Sequence, residues 1–245
     1  MAFTPTADKL IPELTSRDEL VLLARTLWRE GYDDHIAGHI TYRQPDGTFL
    51  CNPWYILWSE LRPEQVIRID IDGNVVEGDW PAPLGIPLHL ELHKLRDDVM
   101  VAMHNHPRYG TVWADAGQVP PIYDQSSALG GGELVLVDEY NGGVNNAAAA
   151  RSAVEAMGGA DIALLANHGV FVLGNSIRAV HQRAVALEQR CRNAWYVEAL
   201  GGGTPLTGAV AEMFAASDGN GFIGFWESMV RAELAADPTL LDPAR

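Results

Sequence analysis

Residues 99–107 read VMVAMHNHP, and this stretch decides how the chain is interpreted. The apolar run at 99–103 has the length of one strand and predicts a strand that is buried on both faces. His104 and His106 follow at a spacing of two, which points both side chains to the same face, about 7 Å apart along the strand. Pro107 cannot continue a strand, so the two imidazoles should stand at its exposed end.

A third histidine follows another apolar run. Residues 162–166 read IALLA and predict a second buried strand, and His168 comes two residues later, before Gly169. Ligands of α/β folds bind at strand ends, and a glycine permits the sharp turn that would aim the side chain. An isolated HxH pair often has no special role. Three neutral imidazoles with an open fourth position are, however, typical of catalytic metal sites.

Helices and strands alternate through the rest of the chain. Residues 16–30 predict a helix with Ser16 as N-cap and Glu19 completing a capping box. Residues 66–78 predict a hairpin that turns at Asp72-Gly73. Further helices are predicted at 86–96, 146–157 and 177–200, and further buried strands at 134–137 and 170–173. Without a repeat or a long linker, we expect one α/β domain over 1–245, with a core at about 17–200 and a helical tail at 205–245.

Composition excludes several classes of partner. The 245 residues carry a formal net charge of −15, which would repel nucleic acid and anionic membranes. No apolar run approaches the roughly 18 residues that a membrane span needs, and the N-terminus does not resemble a signal peptide. Cys51 and Cys191 lie in no paired motif and are expected to be reduced thiols. We therefore expect a soluble, cytoplasmic protein that binds a small molecule.

Four ordered segments carry a more specific signal. They are GYDDHIAGHITYR at 31–43, LRPEQVIRIDIDGNVVEG at 61–78, LRDDVMVAMHNHP at 95–107 and ALLANHGVFVLG at 163–174. Together they resemble the class II aldolase/adducin family. The resemblance implies a three-layer αβα sandwich around a mixed, mostly antiparallel sheet, commonly assembled as a homotetramer. It also implies one divalent metal ion per subunit, Zn, Mn, Fe or Co, held by His104, His106 and His168.

The sequence departs from the sugar-phosphate aldolases of that family. Those enzymes carry a Ser-Ser-Glu segment before the helix that precedes the HxH strand, and its glutamate works as acid and base. Here the matching residues 83–85 are Pro-Leu-Gly, so Gly85 stands where the glutamate belongs. His39 replaces the asparagine of a second family motif, while Thr41 keeps a hydroxyl group. These losses argue against a sugar-phosphate substrate, because neither a proton shuttle nor a phosphate cradle remains.

A metal-dependent decarboxylase is the function that fits these departures best. Loss of carbon dioxide needs an electron sink, which a metal supplies, and no carboxylate base. The aromatic segment with Trp54 and Trp58 would favour a flat ring, so we expect a hydroxylated aromatic or heteroaromatic carboxylate as substrate. The alternatives are an aldolase of a non-phosphorylated substrate, a non-haem iron oxygenase and a non-catalytic adducin-like scaffold. A scaffold has no need for three metal-binding histidines.

Several further residues are candidates for the site. His89 and His93 share one helix face, as solvated or supporting residues, and His89 could orient a ligand or donate a proton. Arg108 directly follows the HxHP motif and could pair with a substrate carboxylate. His39 and Thr41 are expected to contact substrate. Glu77 and Asp79, which we expect on a loop, are weak substitutes for the missing glutamate.

Overall fold

The computed structural model describes residues 10–138, 146–216 and 224–242. An eight-stranded sheet crosses the molecule in the order β4-β3-β2-β1-β5-β8-β7-β6. The strands are β1 (His39–Arg43), β2 (Phe49–Cys51), β3 (Ile67–Ile69), β4 (Val75–Glu77), β5 (Val101–Asn105), β6 (Leu134–Val137), β7 (Ile162–Leu165) and β8 (Gly169–Gly174). The helices are α1 (Ser16–Arg29), α2 (Ile86–Leu95), α3 (Arg108–Asp115), α4 (Gln125–Ala128), α5 (Ala147–Met157), α6 (Ile177–Ala199), α7 (Gly208–Ala215) and α8 (Phe225–Ala236).

The sheet is mixed, as predicted. All neighbouring strands pair antiparallel except β6 and β7, which run parallel. The predicted hairpin forms between β3 and β4. At the centre, β5 lies between β1 and β8, so the strand that ends in the HxH motif has partners on both sides.

Alternate residues of a strand point to opposite faces of the sheet. Apolar residues lie on both faces here, and helices cover both. Val101 and Met103 of β5 join one apolar cluster with residues of α1, α3, α6 and α8. Ala102, between them, joins a second cluster with residues of α2 and α5. The described residues therefore form the three-layer αβα sandwich that the sequence predicted.

Three local predictions were wrong. Thr15 is the N-cap of α1 and forms the capping box with Asp18, one residue before the predicted pair. Residues 134–137 form an edge strand that is mostly half-buried, since β6 pairs with β7 alone. Glu77 lies in β4 and not on a loop, and its carboxylate bonds with Arg17 and Arg68.

The described C-terminal part of the chain contains two helices, α7 and α8. α8 packs onto the main cluster through Trp226 and Val230. The predicted helical tail also includes residues 217–223 and 243–245, which lie outside the described residues. Within the described ranges, none of the helices has the length and apolar character that crossing a membrane would need.

Candidate metal centre

Two neighbouring strands bring the three predicted ligands together. His104 lies in β5 and His106 follows its last residue, while His168 lies in the tight turn between β7 and β8. Because β8 pairs with β5, the turn is held against the end of the HxH strand. The nitrogen atoms that the three side chains offer lie within 4.8 Å of one another. The described residues thus bring together all three predicted metal ligands.

The tight turn around His168 depends on its neighbours. Asn167 adopts the left-handed conformation, with a φ of 55°, a region that asparagine tolerates better than most residues. Gly169 serves a different purpose from the one predicted, because its φ is not positive. A Cβ atom at Gly169 would lie 2.6 Å from the carbonyl oxygen of Asn105 and would overlap the ring of His106. Only glycine allows this close approach of the two strand ends.

Hydrogen bonds orient the imidazoles of His104 and His106. His104 Nδ1 donates to the carbonyl oxygen of Val170 at 2.9 Å, and His106 Nδ1 donates to the carboxylate of Asp34 at 2.7 Å. Each ring therefore carries its hydrogen on Nδ1 and leaves Nε2 as an acceptor. Such contacts to the second nitrogen are usual for histidines that bind metals.

The resulting pair of acceptors fits a bound cation. The Nε2 atoms of His104 and His106 lie 3.0 Å apart. With both hydrogens committed at Nδ1, the two lone pairs face each other, which is unfavourable unless a cation lies between them. His168 is adjacent, with ring centroids 4.6 Å from His104 and 4.8 Å from His106. The donor set of three imidazoles suits Zn and Fe.

Burial keeps the imidazoles of His104 and His168 neutral. Burial lowers the pKa of His104 well below its ordinary value, and nearby histidines lower it further. Burial also lowers the pKa of His168 to about 4, and His106 adds to the effect. For Asp34, burial raises the pKa, but hydrogen bonds from His35 and His106 outweigh it and leave the pKa below the ordinary value. At neutral pH the site therefore offers imidazole lone pairs and one supporting carboxylate.

His39 lies directly beside this centre. It is the register partner of His104 across β1 and β5, and the two rings stack at 4.7 Å between centroids. The residue is 4% exposed. Its Nε2 edge fills the space next to Gly85, where any Cβ atom would overlap it. The structure thus places His39 where the side chain of residue 85 would otherwise reach.

Thr41, His89 and His93 lie behind His39, away from the three ligands. His39 Nδ1 is 2.7 Å from His89 Nε2, and Thr41 Oγ1 is 2.8 Å from His89 Nδ1 and 2.9 Å from His93 Nε2. All three of these residues are buried, so the expectation that His89 and His93 could be solvated was wrong. The prediction of a substrate contact for Thr41 is corrected as well, because its hydroxyl is enclosed between His89 and His93. His89, fully buried behind His39, is placed to orient it.

The remaining predicted site residues are Arg108, Trp54 and Trp58, and they differ in how far they are exposed. Arg108 begins α3 two residues after His106, is exposed, and makes no ion pair among the described residues. Trp54 is half-buried, and its backbone N–H donates to the carbonyl of Pro81. Trp58 is 1% exposed and packs in the main core against Gly38. The prediction of a substrate contact for Trp58 is therefore corrected, because no face of its ring is free.

Two residues that support the site were missed. Asp34 lies within the quoted segment at 31–43, but nothing in its spacing linked it to His106. Glu188 of α6 accepts hydrogen bonds from the backbone N–H groups of Tyr109 and Gly110, both at 2.9 Å, and so anchors the start of α3. A carboxylate at a helix N-terminus is favourable, but its partner lies 78 positions away in sequence.

Two known proteins match most of this chain in sequence. One relative, 4-hydroxy-3-prenylphenylpyruvate oxygenase/4-hydroxy-3-prenylbenzoate synthase of Streptomyces roseochromogenus subsp. oscitans, is 29% identical over 220 residues, 86% of this chain and 79% of that protein. Another, decarboxylase NovR of Streptomyces niveus, is 28% identical over 226 residues, 88% of this chain and 83% of that protein.

A solved structure supports the fold. L-fuculose 1-phosphate aldolase from Glaciozyma antarctica PI12 superposes with a TM-score of 0.79 at 21% identity, covering 96% of this chain and 98% of the other. Residues 18–195 match the model of the class II aldolase and adducin N-terminal domain. The chain therefore belongs to the class II aldolase/adducin family.

Proposed function

We propose that this protein is a metal-dependent carbon–carbon lyase that decarboxylates a hydroxylated aromatic or heteroaromatic carboxylate. The observation that carries the proposal is a three-histidine centre beside residue 85, a position that has no side chain. A lyase that must move protons through a carboxylate at this position would lack its acid and base. A decarboxylase has no such need in the bond-breaking step.

His104, His106 and His168 would hold one divalent ion, with Asp34 supporting His106. When bound, the ion supplies a Lewis acid that accepts electron density as the carbon–carbon bond breaks. The ion also offsets the net charge of −15 locally, which favours the approach of an anionic substrate.

The side chains around the centre would bind and orient the substrate. His39 stacks on His104 and presents its Nε2 edge beside Gly85, so it can contact a substrate oxygen. Arg108 carries an exposed cation two residues from His106 and would pair with the carboxylate. Trp54, tied by its backbone to the segment that precedes Gly85, would offer an apolar face to the ring.

The relatives support this reaction class. NovR is described as a decarboxylase, and the oxygenase/synthase acts, by its name, on prenylated 4-hydroxyphenyl compounds. Both match more than four fifths of this chain. Aromatic acids are therefore the first substrates to test, ahead of sugar phosphates.

The experiment is a substrate screen with metal-reconstituted protein under strict anaerobiosis. Hydroxylated benzoates and pyridine carboxylates are offered with Mn, Zn, Fe or Co, and release of carbon dioxide is measured. We expect turnover of at least one hydroxylated acid with one of these metals, and loss of turnover in His106→Ala. Absence of carbon dioxide release with every acid and metal, while a non-phosphorylated hydroxy-carbonyl compound is cleaved, would replace the decarboxylase with an aldolase.

An iron-dependent oxygenase is the second candidate, because one relative over 86% of the chain is named as an oxygenase. Three histidines also suit iron. Oxygen separates the two: an oxygenase consumes it stoichiometrically with product, whereas a decarboxylase turns over without it. If the protein binds no metal, the result would indicate a non-catalytic scaffold.

We further propose a homotetramer. An exposed apolar area on α3 and α6, including Val112 and Trp195, would suit an interface between subunits. Light scattering on the purified protein tests this directly, with about four times the mass of one chain as the expected result.

A further inference from the structure

A chain of buried hydrogen bonds leads from the candidate metal centre through the sheet to α2. It runs from His39 to His89, from His89 to Thr41 and from Thr41 to His93, over distances of 2.7, 2.8 and 2.9 Å. Arg43 closes the far end, with Nη2 3.4 Å from His93 Nδ1. The chain exists because β1 places every second residue on one face and α2 places residues four apart on the facing side.

Each member of this chain holds one hydrogen atom. A neutral imidazole has one N–H and one acceptor nitrogen, and a threonine hydroxyl has a single hydrogen. The direction of one bond therefore determines the direction of all the others. Two arrangements are possible, and they place the hydrogen of His39 on opposite ring nitrogens.

Arg43 selects between the two arrangements. A guanidinium group only donates hydrogen bonds, so in this contact His93 Nδ1 is the acceptor. Arg43 Nη2 also donates to the backbone carbonyl of His93 at 2.8 Å, which holds the guanidinium in place. The His93 hydrogen then lies on Nε2 and is donated to Thr41.

The remaining directions follow. Thr41 donates its hydrogen to His89 Nδ1, and His89 Nε2 donates to His39 Nδ1. His39 must then carry its own hydrogen on Nε2. That nitrogen lies against Gly85, and among the described residues no hydrogen-bond partner reaches it.

Burial keeps the chain neutral, as this reasoning requires. It lowers the pKa of His39 and of His89 well below the ordinary value. Burial lowers the pKa of His93 to about 3, Arg43 adds to this, and the backbone carbonyl of Val99 opposes it. The carbonyl of Val99 therefore competes with Arg43 for His93 Nδ1. If this carbonyl accepted a hydrogen from His93 Nδ1, every hydrogen bond between His93 and His39 would reverse its direction.

We propose that Thr41, His93 and Arg43 are positioning residues that hold His39 as its Nε2–H tautomer, so that His39 donates a hydrogen bond to an anionic oxygen of the substrate. The part that concerns the substrate rests on the proposed function. A fixed donor beside His104 favours a carboxylate or phenolate oxygen and disfavours a ligand that offers only an N–H group. No group has to change its charge.

The tautomer can be measured directly. Protein labelled with ¹⁵N-histidine and loaded with Zn²⁺, a diamagnetic ion, gives ring ¹⁵N signals that separate protonated from unprotonated nitrogens. The spectrum of His39→Gln assigns the signals of His39. We expect a protonated Nε2 and an unprotonated Nδ1 on His39. A proton on His39 Nδ1 in the wild-type protein would overturn the proposal.

Two variants of Thr41 test the coupling. Thr41→Val keeps the shape and removes the hydroxyl, whereas Thr41→Ser keeps the hydroxyl and serves as the matched control. We expect Thr41→Val to give mixed tautomers at His39 with unchanged zinc content, and Thr41→Ser to retain the wild-type pattern. A wild-type His39 pattern in Thr41→Val would show that the chain does not set the tautomer.

Arg43→Met supplies an independent test should Thr41→Val fold poorly. With the guanidinium removed, the Val99 carbonyl should take the His93 hydrogen and reverse the chain, which moves the His39 hydrogen to Nδ1. An unchanged His39 signal in this variant would contradict the role of Arg43.

Kinetics connect the tautomer to substrate binding. Once an acid substrate is found, we expect kcat/KM to fall about tenfold or more in Thr41→Val and to remain near the wild-type value in Thr41→Ser. The NMR measurement needs no substrate, so failure of the lyase assay leaves the tautomer result standing. A reversed tautomer in an active decarboxylase would refute this inference alone.

Discussion

The imidazole of His39 occupies the space that a side chain at residue 85 would need. A Cβ atom built on Gly85 overlaps His39 Nε2 and lies 2.5 Å from its Cε1 atom and 3.1 Å from its Cδ2 atom. His39 cannot retreat easily, because its ring stacks on His104 and bonds with His89. The observed position of the His39 ring therefore requires a glycine at residue 85.

This relationship predicts a measurable coupling. Gly85→Ala should lower the free energy of unfolding by about 1–3 kcal/mol, because the added methyl group collides with a packed ring. In a His39→Ala background the same change should cost little, which gives a coupling above roughly 0.5 kcal/mol in a double-mutant cycle. Urea denaturation measures all four proteins. Gly159→Ala is the matched control, since nothing lies within 4 Å of its Cβ position.

Restoring an acidic group at residue 85 should not improve the reaction. Gly85→Glu must displace His39, and with it the proposed hydrogen-bond donor, so we expect lower decarboxylation than in the wild-type protein. Carbon dioxide release from the best acid substrate provides the measurement. A large gain in decarboxylation would contradict the view that this site works without a carboxylate at 85.

Asp34 should strengthen metal binding without touching the metal. Its carboxylate holds His106 Nδ1 at 2.7 Å, and loss of such a partner typically costs 10–100-fold in metal affinity. We expect Asp34→Ala to weaken Zn²⁺ binding in that range, as measured by competition with a chelating dye. Asp33→Ala, the exposed neighbour, controls for charge, and equal effects of both changes would remove Asp34 from the site.

The sequence predicted the ligands of this site better than their supports. His104, His106 and His168 could be found because each follows an apolar run that predicts a strand, and strand ends converge in such folds. Asp34 and Glu188 could not be found, because their contacts depend on loop geometry and on an α6 partner far along the chain. Trp58 was misplaced for a related reason: an aromatic side chain suits a binding wall and a hydrophobic core equally well.

The position of β6 at the edge of the sheet could not be predicted from the sequence either. The apolar pattern of β6 resembles that of β7, yet β7 has partners on both sides and β6 on one. Strand order is a property of the whole chain, so local periodicity could not tell the two apart. The hairpin of β3 and β4, by contrast, depends on a local turn and was predicted correctly.

His181 should make the protein sensitive to acid. It is fully buried against Phe225 and Trp226, and neither ring nitrogen has a hydrogen-bond partner in the described chain. Burial lowers its pKa to about 3, so between pH 6.5 and 3 the unfolded state binds a proton that the folded state does not. Stability is therefore complete above about pH 6.5 and falls as the pH drops, by roughly 1 kcal/mol per pH unit from this group.

Replacement of His181 tests this dependence. His181→Leu keeps a similar volume and removes the unsatisfied polar atoms, so we expect a higher melting temperature and a shallower loss of stability between pH 6.5 and 4. Thermal unfolding at several pH values measures both effects. An identical pH slope in the variant would assign the acid sensitivity to other groups.

Arg108 should act on substrate binding and not on stability. It is exposed and makes no ion pair in the described part of the chain, so Arg108→Gln should change the free energy of unfolding by less than about 0.5 kcal/mol. If its guanidinium pairs with the substrate carboxylate, KM should rise about tenfold or more. Arg231→Gln on α8 is the control. Unchanged KM in Arg108→Gln would exclude this contact.

The metal content of the purified protein tests the central claim most directly. Elemental analysis of the wild-type chain and of His106→Ala should give about one divalent ion per wild-type chain and a strongly reduced content in the variant. Less than about half an equivalent of any transition metal in the wild-type protein, with no activity restored by Mn, Zn, Fe or Co, would contradict a metal-dependent lyase. Full metal content in His106→Ala would contradict the assignment of the ligands.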